Sequence, residues 1–316
     1  MSRSIPLVDL KQYREGPASD QQAFIQALGD AFQKVGFVGV TNHEVPHDLV
    51  NEFYRESKYF FALPLEVKKK YEVPGLAGQR GYTAFGKEHA KHSTVGDLKE
   101  FYQIGQVVRG DDPIRSEYPD NVYVSENPRF TSSGDDLYRA FETSGSYLLM
   151  AIAEYLDLGK NYFTPHIHNG NSILRAIHYP PITSEPNTAI RSEQHEDINL
   201  ITLLVGASAG GLQILTKQNT WLDIVPGENE IVVNVGDMLQ RLTNNYLKST
   251  THRVVNPPRE EWHKPRLSIP FFLHPRSAMD LTCLTSCVTS SNPLAYPPIT
   301  AGEYLHERLR EIGLKK

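Results

Sequence analysis

His195-Glu196-Asp197 runs straight into Ile198-Asn199-Leu200-Ile201-Thr202-Leu203-Leu204-Val205. The second stretch is apolar and rich in β-branched residues, which reads as a strand over 198–205. Residues 211–215, 221–224 and 231–235 follow as further strands at close spacing, with Gly210-Gly211, Pro226-Gly227 and Gly236-Asp237 as the turns between them. Residues 252–255 and 266–273 supply two more. Several short strands separated in this way argue for an all-β sandwich or jelly roll and against a parallel sheet.

Upstream the periodicity changes. Residues 5–10 read as a short strand. From Asp20 to Val35, Ala23, Phe24, Ala27, Leu28, Ala31, Phe32 and Val35 fall three and four apart, one stripe of a helix that Gly36 stops. Residues 36–40 read as a buried strand. A second amphipathic helix follows Pro46 and runs to about Phe61, with Val50, Phe53, Tyr54 and Phe60 inward. Pro64 ends it and begins another short helical segment. Between 74 and 96, Pro74, Gly75, Gly78, Gly81, Gly86 and Gly96 interrupt any pattern and predict a functional loop. A long helix is expected over 135–156, closed by Gly159. A last one spans 301–312 with Tyr304, Leu305, Leu309 and Ile312 on one face. The fold class is therefore α+β: an N-terminal helical and strand region (1–115), a long bridging helix (116–169), and a β core with a C-terminal helix (170–316). No repeat or low-complexity run is present.

Composition narrows the functional classes. Among 316 residues, 40% are apolar and 22% charged, and the formal net charge is −5. That balance implies neither nucleic acid nor an anionic membrane as partner. No segment approaches the roughly 20 apolar residues of a membrane span, and no signal peptide is visible. Cys283 and Cys287 are the only cysteines, too few for a disulfide framework, and read as two inert thiols in a reducing cytoplasm. Nothing in the chain requires an oligomer.

The chemistry starts with the opening triplet. Residues two apart on a strand share a face, so His195 and Asp197 can aim at one ion while Glu196 faces away. His252, 55 positions after Asp197 (252 − 197) and at the start of a strand, offers a third ligand. Two imidazoles and one carboxylate make the facial triad of non-haem iron(II) oxygenases, which leaves coordination positions for an oxo-acid and dioxygen. Arg266 and Ser268 again share a strand face, 14 positions after His252 (266 − 252). A guanidinium gives a carboxylate two parallel charge-assisted hydrogen bonds, and a serine hydroxyl can add another. The pair suits the distal carboxylate of a dicarboxylic co-substrate.

These motifs, with Ile5-Pro6-Leu7-Val8-Asp9-Leu10, Gly36-Phe37, Asn42-His43, Gly81-Tyr82 and Asn234-Val235-Gly236-Asp237, resemble the isopenicillin N synthase-like family of 2-oxoglutarate/iron(II) dioxygenases. The likeness covers nearly the whole chain. It implies a double-stranded β-helix (jelly-roll) core with helices outside, Fe(II) on His195, Asp197 and His252, 2-oxoglutarate held by Arg266 and Ser268, and dioxygen as oxidant. A small organic substrate would be hydroxylated, desaturated or cyclised, with release of succinate and carbon dioxide. Tyr179, before Pro180, matches a tyrosine that plant members place near the co-substrate, or it is a core aromatic. Ile177 stands where those members have Asn.

Two other readings stay open: an isopenicillin N synthase-like oxidase that uses no 2-oxoglutarate, and a non-redox metal-binding jelly-roll protein. His166 and His168 share the two-apart spacing but lie in a Pro- and Gly-flanked loop without a carboxylate nearby. His43 reads as structural, and His89, His92, His263, His274 and His306 carry no pattern. Gly236-Asp237 reads as turn geometry. Tyr82 and Phe85 in the 81–86 segment, and Lys99-Glu100-Phe101-Tyr102, are candidates to line the pocket mouth.

Overall fold

The structure is a computed structural model and describes residues 5–76, 78–89, 95–108, 110–227 and 229–311. His92 and Ile312 lie outside the described residues, as do 77 and 90–94 of the expected 74–96 loop. In chain order the elements are β1 (Leu7–Asp9), α1 (Leu10–Glu15), α2 (Ala18–Lys34), β2 (Phe37–Thr41), α3 (His47–Ala62), α4 (Leu65–Lys69), β3 (Gly81–Thr83), β4 (Glu100–Gly105), α5 (Pro128–Tyr155) and α6 (Thr164–Ile167). There follow β5 (Ile173–Tyr179), β6 (Ser192–His195), β7 (Ile201–Val205), β8 (Leu212–Leu215), β9 (Trp221–Asp223), β10 (Ile231–Val235), α7 (Asp237–Leu242), β11 (His252–Val254), β12 (Arg266–Leu273) and α8 (Ala301–Glu311).

The strands form two sheets. The larger is ordered β1-β2-β10-β7-β12-β5-β4-β3, antiparallel except for β1 beside β2; the smaller is ordered β6-β11-β8-β9 and wholly antiparallel. This is the jelly-roll arrangement expected from the sequence.

Alternation along β12 shows how the larger sheet is sided. Leu267, Ile269, Phe271 and Leu273 enter the main core, where Phe271 stacks on Phe141 of α5 at 5.3 Å between ring centroids. Arg266, Ser268, Pro270 and Phe272, on the other face, border a cavity. One sheet face is thus sealed by α5 while the other lines the site. Helix α3 packs on α5 through stacked rings, Phe53 and Phe60 each within 5.4 Å of Phe130, contacts worth about 0.5–1.5 kcal/mol apiece beyond burial. Gly36, at φ +77°, takes the left-handed turn that ends α2 and lets β2 begin.

Several boundaries differ from the sequence reading, each for a physical reason. The 74–96 stretch contains β3, and the Lys99–Tyr102 run is mostly β4, because these strands exist by pairing with each other and with β5. Helix α5 starts at Pro128, seven residues early, since proline fits a first helical turn. Its opening Thr131-Ser132-Ser133-Gly134 hides the apolar period. Gly236-Asp237 does not join two strands; it opens α7.

Candidate functional site

Strand pairing brings His195 and His252 together. They are direct partners across the β6/β11 ladder, with ring centroids 4.4 Å apart. Strand β6 ends at His195, and the chain then turns to carry Asp197 to the larger sheet. The ligand-capable atoms of His195, Asp197 and His252 all lie within 4.8 Å of one another. Asp197 Oδ1 stands 3.9 Å from His252 Nε2, beyond hydrogen-bonding distance.

The surroundings orient each group. His195 Nδ1 donates to the Glu193 carbonyl at 2.7 Å and His252 Nδ1 to the Thr250 carbonyl at 3.1 Å. Each ring therefore presents a bare Nε2. Burial, and then the neighbouring His252, hold the His195 imidazole below its ordinary pKa, favouring the neutral ring that a metal requires. Asp197 Oδ2 accepts from Thr202 Oγ1 at 2.7 Å and Asn234 Nδ2 at 2.8 Å. Thr202 and Asn234 face each other across the β7/β10 pair, so the larger sheet holds the carboxylate by a cross-strand clip. Burial alone would raise the Asp197 carboxyl; the two imidazoles and these hydrogen bonds bring it below the usual range. Neutral imidazoles and a fixed carboxylate fit a divalent transition metal.

Arg266 and Tyr179 are direct partners across the β12/β5 ladder, as are Ser268 and Ile177. The Arg266 guanidinium sits over the Tyr179 ring at 5.0 Å. Its Nε donates to the carbonyls of Ala209 and Gly210, both at 3.1 Å. Its Nη1 is buried without a partner among the described residues, in a side chain only 2% exposed. A buried guanidinium with an unused N–H is costly unless a ligand takes it.

All six residues singled out from the sequence, His195, Asp197, His252, Arg266, Ser268 and Tyr179, border a single cavity of about 640 Å³, a size usual for a small-molecule site. Glu196 borders it too rather than facing away, and takes a hydrogen bond from Thr251. Of the proposed mouth residues only Lys99 borders the cavity; Tyr82 is buried against Glu100, and Phe85 is exposed. His166 and His168 do not border it, whereas His274, which showed no pattern, does.

The remaining wall carries an ion network. Lys99 Nζ donates to Asp97 (2.7 Å), Glu88 (2.9 Å) and Ser192 (3.0 Å). Arg175 Nη1 meets Glu88 at 3.2 Å, and its Nε meets Gln103 at 3.1 Å. Burial would raise the Glu88 carboxyl, but Arg175 and Lys99 draw it down to about 2. Thr202, Asn234, Arg175 and His274 were missed in the sequence. Extending the two-residue alternation back from Tyr179 and onward from Ser268 would have found the last two.

Residues 5–126 match the family model described as non-haem dioxygenase in morphine synthesis N-terminal, and residues 170–275 match that of the 2OG-Fe(II) oxygenase superfamily. The chain belongs to the 2OG-Fe(II) oxygenase superfamily. This oxygenase is 34% identical to "Proline hydroxylase buaE" of Petromyces alliaceus, over 92% of this chain and 93% of that protein. A 2OG-Fe(II) oxygenase family protein of Caulobacter crescentus, at 43% identity, superposes with a TM-score of 0.88 over 98% of this chain and 100% of that one. A full-length Neurospora crassa protein, crystallised with alpha-KG and thymine, is 32% identical with a TM-score of 0.84, covering 97% of this chain and 96% of that one. The oxygenase accordingly uses Fe(II) as cofactor and 2-oxoglutarate as co-substrate, which favours it over both the oxidase and the non-redox reading. Among the described residues no helix is long and apolar enough to cross a membrane.

Proposed function

We propose that His195, Asp197 and His252 hold the Fe(II), that Arg266 and Ser268 bind the distal carboxylate of 2-oxoglutarate over Tyr179, and that the enzyme hydroxylates a small organic molecule. The observation that carries this reading is the convergence of the three ligand-capable side chains within 4.8 Å, each oriented by its own hydrogen bond. When bound, the iron couples decarboxylation of 2-oxoglutarate to succinate and carbon dioxide with insertion of oxygen into a substrate C–H bond. The chain's own part is positional. Thr250 and Glu193 carbonyls fix the two imidazoles, Thr202 and Asn234 fix the carboxylate, and Arg266 orients the co-substrate from the far end of β12.

A small-molecule substrate is supported by the cavity's size and by the relatives named for proline hydroxylation and crystallised with thymine. Desaturation or ring closure would need only a different fate of the same oxidised carbon. We infer further that the chain works in the cytoplasm without nucleic acid, membrane or an obligatory oligomer. Its net charge of −5 and its two free, buried cysteines support this.

The test is anaerobic. Ferrous protein should develop a weak visible absorption band on addition of 2-oxoglutarate, and His252→Ala should lose both the band and stoichiometric iron. Wild-type iron content and band in that variant would overturn the assignment.

A further inference from the structure

Strand β5 begins beside the end of β12, at the end of the cavity away from Arg266. Phe272 pairs with Ile173, Asn171 N donates to the Pro275 carbonyl at 3.2 Å, and His274 N donates to Ser172 Oγ at 3.1 Å. This stitching fixes Asn171 and His274 as neighbours, and both border the cavity. Asn171 Oδ1 and His274 Nδ1 are buried, and neither has a hydrogen-bond partner among the described residues. Buried polar atoms are nearly always bonded, so two orphans together on one wall point to a ligand that bonds them. Arg175, two positions beyond Ile173 on the same strand face, has Nε and Nη1 engaged and its guanidinium between Phe101 and Phe272.

The charges on this wall decide what kind of ligand fits. Glu88 and Asp97 contribute two negative charges, Lys99 and Arg175 two positive ones, so the network sums to zero. Each of the four is engaged by another. Arg308, which also borders the cavity, is paired with Asp237 at 3.4 Å and Glu311 at 2.7 Å. A substrate charge set against this wall would meet only groups already engaged with one another, and a buried unpaired charge is disfavoured by several kcal/mol. Burial, moreover, keeps the His274 imidazole neutral, its pKa pushed down to about 4. What the wall does offer is a carboxamide and a neutral imidazole, each able to donate and to accept, beside the apolar surface of Phe272 and Ile173. A carboxamide pairs in two-point fashion with an adjacent donor and acceptor, as it does on the edge of adenine.

We propose that the primary substrate is an uncharged, flat molecule presenting an adjacent N–H and C=O on one edge, such as a lactam, imide or oxo-substituted nitrogen heterocycle, read by Asn171 and His274. This rests on the metal and co-substrate assignment above, with the oxidised carbon turned from that wall toward His195, Asp197 and His252.

The experiment uses the full chain loaded anaerobically with Fe(II) and 2-oxoglutarate. Millimolar uracil, succinimide or 2-piperidone is titrated against the visible band, with L-proline and benzoate as charged probes. At least one neutral probe should perturb the band saturably, and neither charged probe should. Asn171→Asp, which keeps the size but removes the donor and adds charge, should weaken the neutral probe about 10- to 100-fold while the 2-oxoglutarate band itself still forms. Asn171→Ala should do the same without adding charge. Perturbation by L-proline or benzoate alone, by no probe, or equally in both variants and wild type would overturn the proposal. Absence of the band before any probe is added is a separate failure, that of the co-substrate reading.

Discussion

Replacing Arg266 with methionine removes the guanidinium that sits over Tyr179 while keeping most of the aliphatic stem. In the native protein Nε is occupied by the Ala209 and Gly210 carbonyls, leaving the outer edge of the fork, including the orphaned Nη1, for a ligand carboxylate. Two charge-assisted hydrogen bonds at about 1.5–3 kcal/mol each set an upper range near 3–6 kcal/mol. Arg266 is 2% exposed, so little water screens the interaction. Part of the loss is offset because Ser268 and water can still bond the carboxylate in the variant, which makes about 3–4 kcal/mol the reasonable expectation. At 1.36 kcal/mol per decade this is roughly 150- to 900-fold weaker 2-oxoglutarate binding. Anaerobic titration of the ferrous variant, read from the visible band, measures it, and iron content after desalting checks that the metal site persists. Arg266→Lys, which retains the charge but not the fork, should fall between the two proteins. If Arg266→Met with intact iron bound 2-oxoglutarate within about threefold of wild type, the carboxylate would be held elsewhere and the β12 clamp would be refuted.

Three further outcomes follow from the geometry. Thr202→Val removes the hydroxyl that donates to Asp197 Oδ2 at 2.7 Å with little change of shape; iron affinity, measured by anaerobic competition with a chelator, should drop about 10- to 100-fold. Gly236→Ala would drive a Cβ into the backbone oxygen of Asn199, which cannot swing aside; a loss of about 1–3 kcal/mol in denaturant unfolding is expected, and an unchanged midpoint would argue against this close approach. Glu142 bears on pH: burial pushes its carboxyl up to about 7, despite a hydrogen bond from Gln106. The folded protein thus keeps a proton that the unfolded chain releases near pH 4.5, so stability falls as pH rises from about 4.5 to 7. Glu142→Gln should flatten that part of the curve by up to about 3 kcal/mol, and identical pH profiles in thermal unfolding would contradict it.

What the linear chain determined by itself is local. The three-and-four spacing of α2, the prolines bounding α3 and α4, and the short strands after residue 170 are written in neighbouring residues, because helix and strand periods act within a few positions. The two-apart pairs His195/Asp197 and Arg266/Ser268 were legible for the same reason, and the family resemblance added Tyr179. Strands β3 and β4 were not, since β4 becomes a strand only by pairing with β5 across about 70 residues, and β3 only by pairing with β4. Nor was the Thr202–Asn234 clip, because the chain does not reveal that β7 and β10 lie in register. The facing of His195 by His252, the unused edge of Arg266, and the neighbouring orphans on Asn171 and His274 were decided by tertiary structure alone. Register across strands, and burial away from water, set which atoms meet and which are left without a partner, and neither is a property of adjacent residues.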